Sequence, residues 1–426
     1  MKFMKKYITY TILILFCLIC NIGMLKSQVV SQYGRTDTEN QAILYFDSAK
    51  VAMERNDFDQ AKRYLEKSLV LDSTFADAYS RLATCLIKTR GDVDEVTTDI
   101  IKSLMLEQSS ESLAQAISVI YQLSPMQTDM LLSKLNVMQR EYPNERRWFA
   151  FAANAALGQS RFYEAAGYYQ RAVNIDANPY YQAFIADLLY NAGNDTLALE
   201  AANKIGDDLT YQRSYLKAKI LMSMGNYQEA LLATDSCINI DANRPSSYFE
   251  RGMIKDKLAD IKGAILDFST VIDLDTTYSY AYYGRGEMYS KVGNMNAAIK
   301  DYNKALQLNP TPMKEGNSAP FVYLALGQRD KAIAFTDSIL TKYSNSDSYY
   351  NAACLYGRLG NKQKSLLYLS KALEKGFRRL KYIQNDSDLA ILRDLSAFKV
   401  MIKKYKNISD QEYKRYLQII NSKAKD

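Results

Sequence analysis

Alanines stand 34 residues apart at Ala230, Ala264, Ala298 and Ala332. Gly225, Ala259, Gly293 and Gly327 keep the same spacing, as do Ile240, Leu274 and Leu308, and the pair Gly252 and Gly286. A fixed period of this length marks a repeat array, in which each unit buries its apolar face on its neighbours rather than in one central core. This constrains the fold more than composition does. A chain of 426 residues would ordinarily divide into about two or three globular domains, but a solenoid does not divide that way. Only 7 prolines and 18 glycines are present and no Pro-, Gly- or Ser-rich linker separates blocks, so one continuous superhelix is expected.

The period also has internal order. From Tyr282 to Tyr289 large residues recur at helical spacing, with Gly286 on the same face. Gly293-Asn294 breaks that helix, because both residues tolerate positive φ. Ala298, Tyr302 and Ala305 then follow at i, i+4 and i+7 on a second helix, which Pro310 ends. Each unit is therefore a helix, a tight turn and an antiparallel helix. Helices approach closely only where side chains are small, so Gly286, Ala298 and Ala305 are expected to be helix contacts.

The unit resembles a tetratricopeptide repeat. That consensus places an aromatic residue, Leu-Gly, Tyr, Ala, an aromatic residue, Ala and Pro at fixed offsets. Here those places hold Tyr282, Arg285-Gly286, Tyr289, Ala298, Tyr302, Ala305 and Pro310; Arg285 alone departs. The same frame recurs from a first unit at about 42–75, with Ala61, Leu65 and Ser68, to a last with Gly360-Asn361 and Ala372. The resemblance implies an all-α, right-handed superhelical solenoid of about ten helix-turn-helix repeats. Repeats are expected over 42–109 and 146–379, with a degenerate one over 110–145 that keeps its length but loses most small residues, and so is a place for a bend. The segment after it, 380–426, resembles the close of many bacterial arrays of this kind. It reads as a cap and a polar helix, with Asp388 and Ser396 as N-caps and Leu389, Leu392, Phe398 and Ile402 facing the last repeat. Asp386, Asp388 and Asp394 lack the spacing and glycine of a calcium loop, so no metal is expected there.

The N-terminus has a different design. Lys2, Lys5 and Lys6 precede an apolar run from Tyr7 to Leu25, as in a secretory signal over 1–27 with cleavage near Ser27, followed by a short linker over 28–41. An uncleaved membrane anchor, or a lipoprotein modified at Cys20, is the alternative. All three place the repeats outside the cytoplasm: periplasmic, or associated with an envelope membrane. Four of the 54 basic residues lie in the first 27 positions and none of the 47 acidic residues does, so the remainder carries only +3. A near-neutral array gives no electrostatic case for nucleic acid.

Chemistry is sparse. With no histidine there is no His-dependent triad, His-ligated zinc or imidazole base. No P-loop or GxSxG is visible, and CxxC occurs only within the signal. Asp207-Asp208 read as solvated helix-start residues. Cys85, Cys237 and Cys354 lie in distant repeats, where packing is expected rather than a disulfide, although Cys354 can line the inner surface. No enzyme, cofactor or metal is expected.

Arrays of this family resemble curved troughs whose first helices line a concave, partner-binding face. The matching offsets pick out Tyr180, Asp187, Tyr190 and Asn191 in one repeat, and Tyr215 and Lys219 in the next. Phe249, Asp256 and Lys257 follow, then Tyr280, Tyr283, Glu287 and Lys291, then Phe321, then Tyr350 and Arg358. Tyrosines bury area yet tolerate water, which suits recognition. The expected function is a non-enzymatic protein–protein interaction scaffold of the bacterial cell envelope, with a protein partner and a possible membrane contact through the N-terminal segment. A glycan-binding module and an accessory subunit of an envelope enzyme are the alternatives.

Overall fold

The structure is a computed structural model that describes residues 37–106, 110–309 and 318–422. The expected signal segment, with Cys17 and Cys20, and Pro310 lie outside the described residues. The described residues form two compact units, one running to Ala177 together with those from Leu417, the other lying within Asn178–Tyr416.

In the first unit, α1 (Asp37–Glu54) begins ahead of the expected position 42 and pairs with α2 (Phe58–Leu71). The pair α3 (Ala76–Thr89) and α4 (Val93–Met105) follows, and α7 (Arg146–Gly158) pairs with α8 (Phe162–Ile175). Between them the expected degenerate repeat forms α5 (Ser110–Ile120) and α6 (Pro125–Glu141), the latter opened by a reciprocal cap between Ser124 and Gln127. These two helices barely touch. Instead α5 lies on α3 and α4, and α6 on α4 and α7. Loss of the small residues removes the close approach that the other pairs use.

Asp99 on α4 is buried at 8% exposure. Burial raises its carboxyl to about 6, with Lys102, Lys62 and Lys134 opposing and Glu95 reinforcing the shift. The protonated form is thus favoured in the folded chain: this stabilisation is complete below the unfolded value of 3.8 and is lost as pH rises through about 6. Asp99→Asn should therefore stabilise the chain by roughly 2 kcal/mol at pH 8 and leave it unchanged near pH 3.5, a contrast read from melting temperatures at the two pH values.

In the second unit, α9 (Pro179–Asn191) pairs with α10 (Asp195–Asn203), α11 (Thr210–Met224) with α12 (Tyr227–Ile240), and α13 (Pro245–Lys257) with α14 (Ile261–Leu274). The pairs α15 (Ser279–Lys291) and α16 (Met295–Leu308), α17 (Ala319–Ala325) and α18 (Arg329–Lys342), and α19 (Ser346–Arg358) and α20 (Lys362–Glu374) continue the order. Gly293 turns α15 into α16 at φ +78°, and Ala259 makes the same left-handed turn one repeat earlier at φ +61°. The expected helix contacts are present: Ala298 and Ala305 are fully buried, and a Cβ on Gly286 would lie 2.6 Å from Tyr302 Cε1.

Arg285, the departure from the repeat pattern, has a definite partner. Its Nε and Nη2 donate to the two carboxylate oxygens of Asp301 on α16 at 2.7 and 2.9 Å, and Nη1 donates to Ser269 Oγ at 3.0 Å. One repeat earlier Arg251 holds Asp267 by the same fork at 3.0 and 2.7 Å. These two repeats thus each join their helices by a bidentate ion pair at the place where the repeat pattern has a leucine.

The closing segment is α21 (Leu380–Asn385), a 3₁₀ turn at Ser387–Leu392 and α22 (Ser396–Asn421). Leu389, Leu392, Phe398 and Ile402 join Leu369, Ala372 and Leu373 in one buried cluster, as expected of a cap. The N-caps differ from expectation. Asp386, not Asp388, caps the 3₁₀ turn, its Oδ1 accepting from the Asp388 N–H at 2.9 Å, and Ser396 is the first residue of α22 rather than its cap. Asp207 and Asp208 are exposed ahead of α11. Burial pushes the Cys85 thiol up to about 11 and that of Cys237 up to about 12, as for packed thiols.

Candidate functional site

The first helices of the second unit, from α9 to α19, carry the residues singled out in the sequence. The structure gathers them into separate clusters. On α9 and α11, Lys219 Nζ lies 5.1 Å from the Tyr190 ring and 5.8 Å from the Tyr215 ring, and 3.9 Å from Asp187. Asn191 donates to the Asp187 carboxylate at 3.0 Å. Tyr215 stacks on Tyr211 with centroids 6.1 Å apart, and its hydroxyl donates to Glu250 at 3.5 Å. Burial raises the Glu250 carboxyl, opposed by Lys219 and by that hydrogen bond. Tyr180 is half-buried at the start of α9.

A second cluster is aromatic. Phe249 meets Phe268, Tyr278 and Tyr280 with centroids 5.6, 5.3 and 6.5 Å apart. Asp256 pairs with Lys291 across α13 and α15, and Lys257 is exposed beside it. A third cluster surrounds Arg358. Its Nη1 donates to the Tyr283 hydroxyl at 3.1 Å, Glu287 lies 3.7 Å and Asp388 3.9 Å away, and its guanidinium is 5.8 Å from the Phe321 ring. The Tyr302 hydroxyl donates to Glu287 at 2.7 Å. Burial, with Glu287 next in size, pushes the Tyr283 hydroxyl up to about 12.

Sequence reasoning did not anticipate that the closing segment would reach this face. Tyr350 is buried at 6% exposure, stacked on Phe377 at 4.3 Å, and its hydroxyl donates to Asp386 at 2.5 Å. Tyr190 is buried at 7% under the Arg379 guanidinium, 4.2 Å from its centroid. These contacts join residues far apart in the chain, for which no local pattern exists.

Among the described residues, one group of possible metal ligands comes together: the Cys354 sulfur with Asp386 and Asp388 carboxylate oxygens, all within 4.8 Å of one another. Hydrogen bonds already account for it, since Cys354 Sγ donates to Asp386 at 3.7 Å beside the Tyr350 hydroxyl. Burial and the two acids hold the thiol well above its ordinary range, so it stays protonated and packed rather than acting as a thiolate nucleophile. What this face offers is hydrogen bonding, cation–π contact and aromatic area, the chemistry of recognition.

Residues 279–312 and 346–374 each match a model of the tetratricopeptide repeat. A chloroplastic protein of Arabidopsis thaliana is 32% identical over 83 residues, 18% of this chain and 25% of that protein, so the chain spans a quarter of that relative's length. A solved tetratricopeptide repeat protein from Parabacteroides merdae aligns over 62% of this chain and 99% of its own at 14% identity, with a TM-score of 0.41. A thermophilic one from Thermus thermophilus covers 46% of this chain and 100% of its own at 16% identity, with a TM-score of 0.35. Consecutive helix pairs of one period, two of them matched by the family's own models, make this chain a tetratricopeptide-repeat protein with an all-α repeat-solenoid fold.

Proposed function

We propose that this protein is a non-enzymatic scaffold of the bacterial cell envelope that docks a protein partner on the first-helix face of its second unit. Tetratricopeptide repeats are protein-interaction modules, which supports the general reading. The observation that carries the finer one is the mixture on that face. Half-buried Tyr180, Tyr215 and Tyr283 share the first helices α9, α11, α13 and α15 with Asp187, Lys219, Lys257 and Lys291, aromatic bodies on the same helices as both signs of charge. The envelope setting rests on Lys2, Lys5 and Lys6 ahead of the apolar run Tyr7 to Leu25. No helix among the described residues is long and apolar enough to cross a membrane.

The test is a cross-linked capture from the envelope membrane fraction, with the full chain run beside an Asp187→Lys, Lys257→Glu variant that still melts cooperatively. Charge reversal at the face should lower capture of the specific partner roughly tenfold. Equal capture would move the interface elsewhere on the chain, and retention on a polysaccharide column with no captured protein would replace the protein partner with a glycan.

A further inference from the structure

The closing segment inserts one side chain into the first-helix face. Arg379 lies between two tyrosines, its guanidinium 4.2 Å from the Tyr190 centroid and 4.4 Å from that of Tyr382. Its Nη2 donates to Ser223 Oγ at 2.9 Å, and Ser223 in turn donates to Asp195 Oδ2 at 2.9 Å. A planar cation sandwiched by rings, with a hydroxyl and a carboxylate behind it, is the arrangement that reads a guanidinium and is poorly matched to an ammonium.

The fit of the chain's own arginine is incomplete. Arg379 Nε and Asp195 Oδ1 are both buried, and neither has a hydrogen-bond partner. Two complementary groups lie idle in one slot, so the slot can satisfy more of a guanidinium than Arg379 uses. Arg379 enters from the turn after α20, where the backbone is close-packed: a Cβ on Gly193 would lie 2.6 Å from the Arg378 carbonyl oxygen.

We propose that the slot formed by Tyr190, Tyr382, Ser223 and Asp195 is a guanidinium-binding site, filled in cis by Arg379 and taken in trans by an arginine side chain of the docked protein. The trans step rests on the docking reading above; the site itself does not. Closure by Arg379 and entry of a partner arginine exclude one another, so the cis contact lowers the apparent affinity of the partner by the fraction of chain that is closed.

The test uses the full chain carrying Arg379→Ala, titrated with N-acetyl-arginine amide against N-acetyl-lysine amide at matched ionic strength. A saturable rise in melting temperature and a shift of tyrosine ring resonances are expected, with the arginine compound bound at least about fivefold more tightly than the lysine compound. The parent chain should respond with an apparent affinity about threefold weaker, and Tyr190→Ala added to the variant should abolish the response. Equal responses to the two amides, or none, would overturn the guanidinium site. Arg379→Gln, which keeps the stem as far as Cδ without the guanidinium, replaces the alanine variant if that one does not melt cooperatively. No partner is needed for this measurement, so failure of the capture experiment leaves it standing. For the trans step, Arg379→Ala should raise partner capture about threefold and N-acetyl-arginine amide should release the captured protein; unchanged capture without release would overturn that step.

Discussion

Asp301→Ala is expected to destabilise the repeat formed by α15 and α16 by about 3 kcal/mol. The side chain of Asp301 is 7% exposed and that of Arg285 is 19% exposed, and the fork between them ties the first helix of the repeat to the second. Removing the carboxylate leaves a largely enclosed guanidinium with only Ser269 to donate to. An uncompensated charge in such a place costs more than the pair contributed, because desolvation is no longer offset. The same reasoning makes a double variant informative. Arg285→Leu restores the apolar residue usual at this place, so Arg285→Leu with Asp301→Ala should recover most of the loss. Amide exchange in α15 and α16, together with the urea midpoint, reads both changes. A single variant as stable as the parent would mean that the ion pair contributes nothing to joining these helices.

The second large effect is expected at Gly357. It lies within α19, where alanine would ordinarily stabilise a helix by about 1 kcal/mol. Here a Cβ would sit 2.0 Å from the Asp388 carbonyl oxygen. Backbone cannot yield as a flexible side chain can, so the 3₁₀ turn at Ser387–Leu392 must move away. Leu389 and Leu392, both fully buried, would lose contact with Leu369 and Leu373. Gly357→Ala should therefore destabilise the cap by about 3 kcal/mol, against the helix preference. Faster limited proteolysis between α20 and α22 and a lower melting temperature are the expected results. A stabilised variant would show that the closing segment does not rest on α19.

The sequence carried the repeat clearly, because the constraints that build it are local and recur. Gly286 opposite Tyr302, buried Ala298 and Ala305, and the left-handed turn at Gly293 all follow from spacing within one period. The capping leucines were legible for the same reason. The ion pair of Arg285 was visible in principle: Arg251 and Asp267 repeat it 34 residues earlier, with the same 16-residue separation. The splayed helices α5 and α6 were not legible. Loss of small residues announced weaker packing without saying what each helix would meet instead. Nor was the reach of the closing segment, since Arg379 meets Ser223 across 156 residues and no periodic pattern encodes that contact. The expectation of a docking face treated Tyr190 and Tyr350 as available, whereas the fold uses both rings to seat its own closing segment.

Site-specific photo-cross-linking tests the docking face most directly. A photoreactive residue placed at Lys257, exposed at the end of a first helix, is compared with one at Leu266, 67% exposed on a second helix. If the first-helix face docks the partner, irradiation in envelope membranes yields a discrete protein adduct from position 257 and none from 266. An adduct from 266 alone, or no protein adduct from either position, would contradict a scaffold that works through this face.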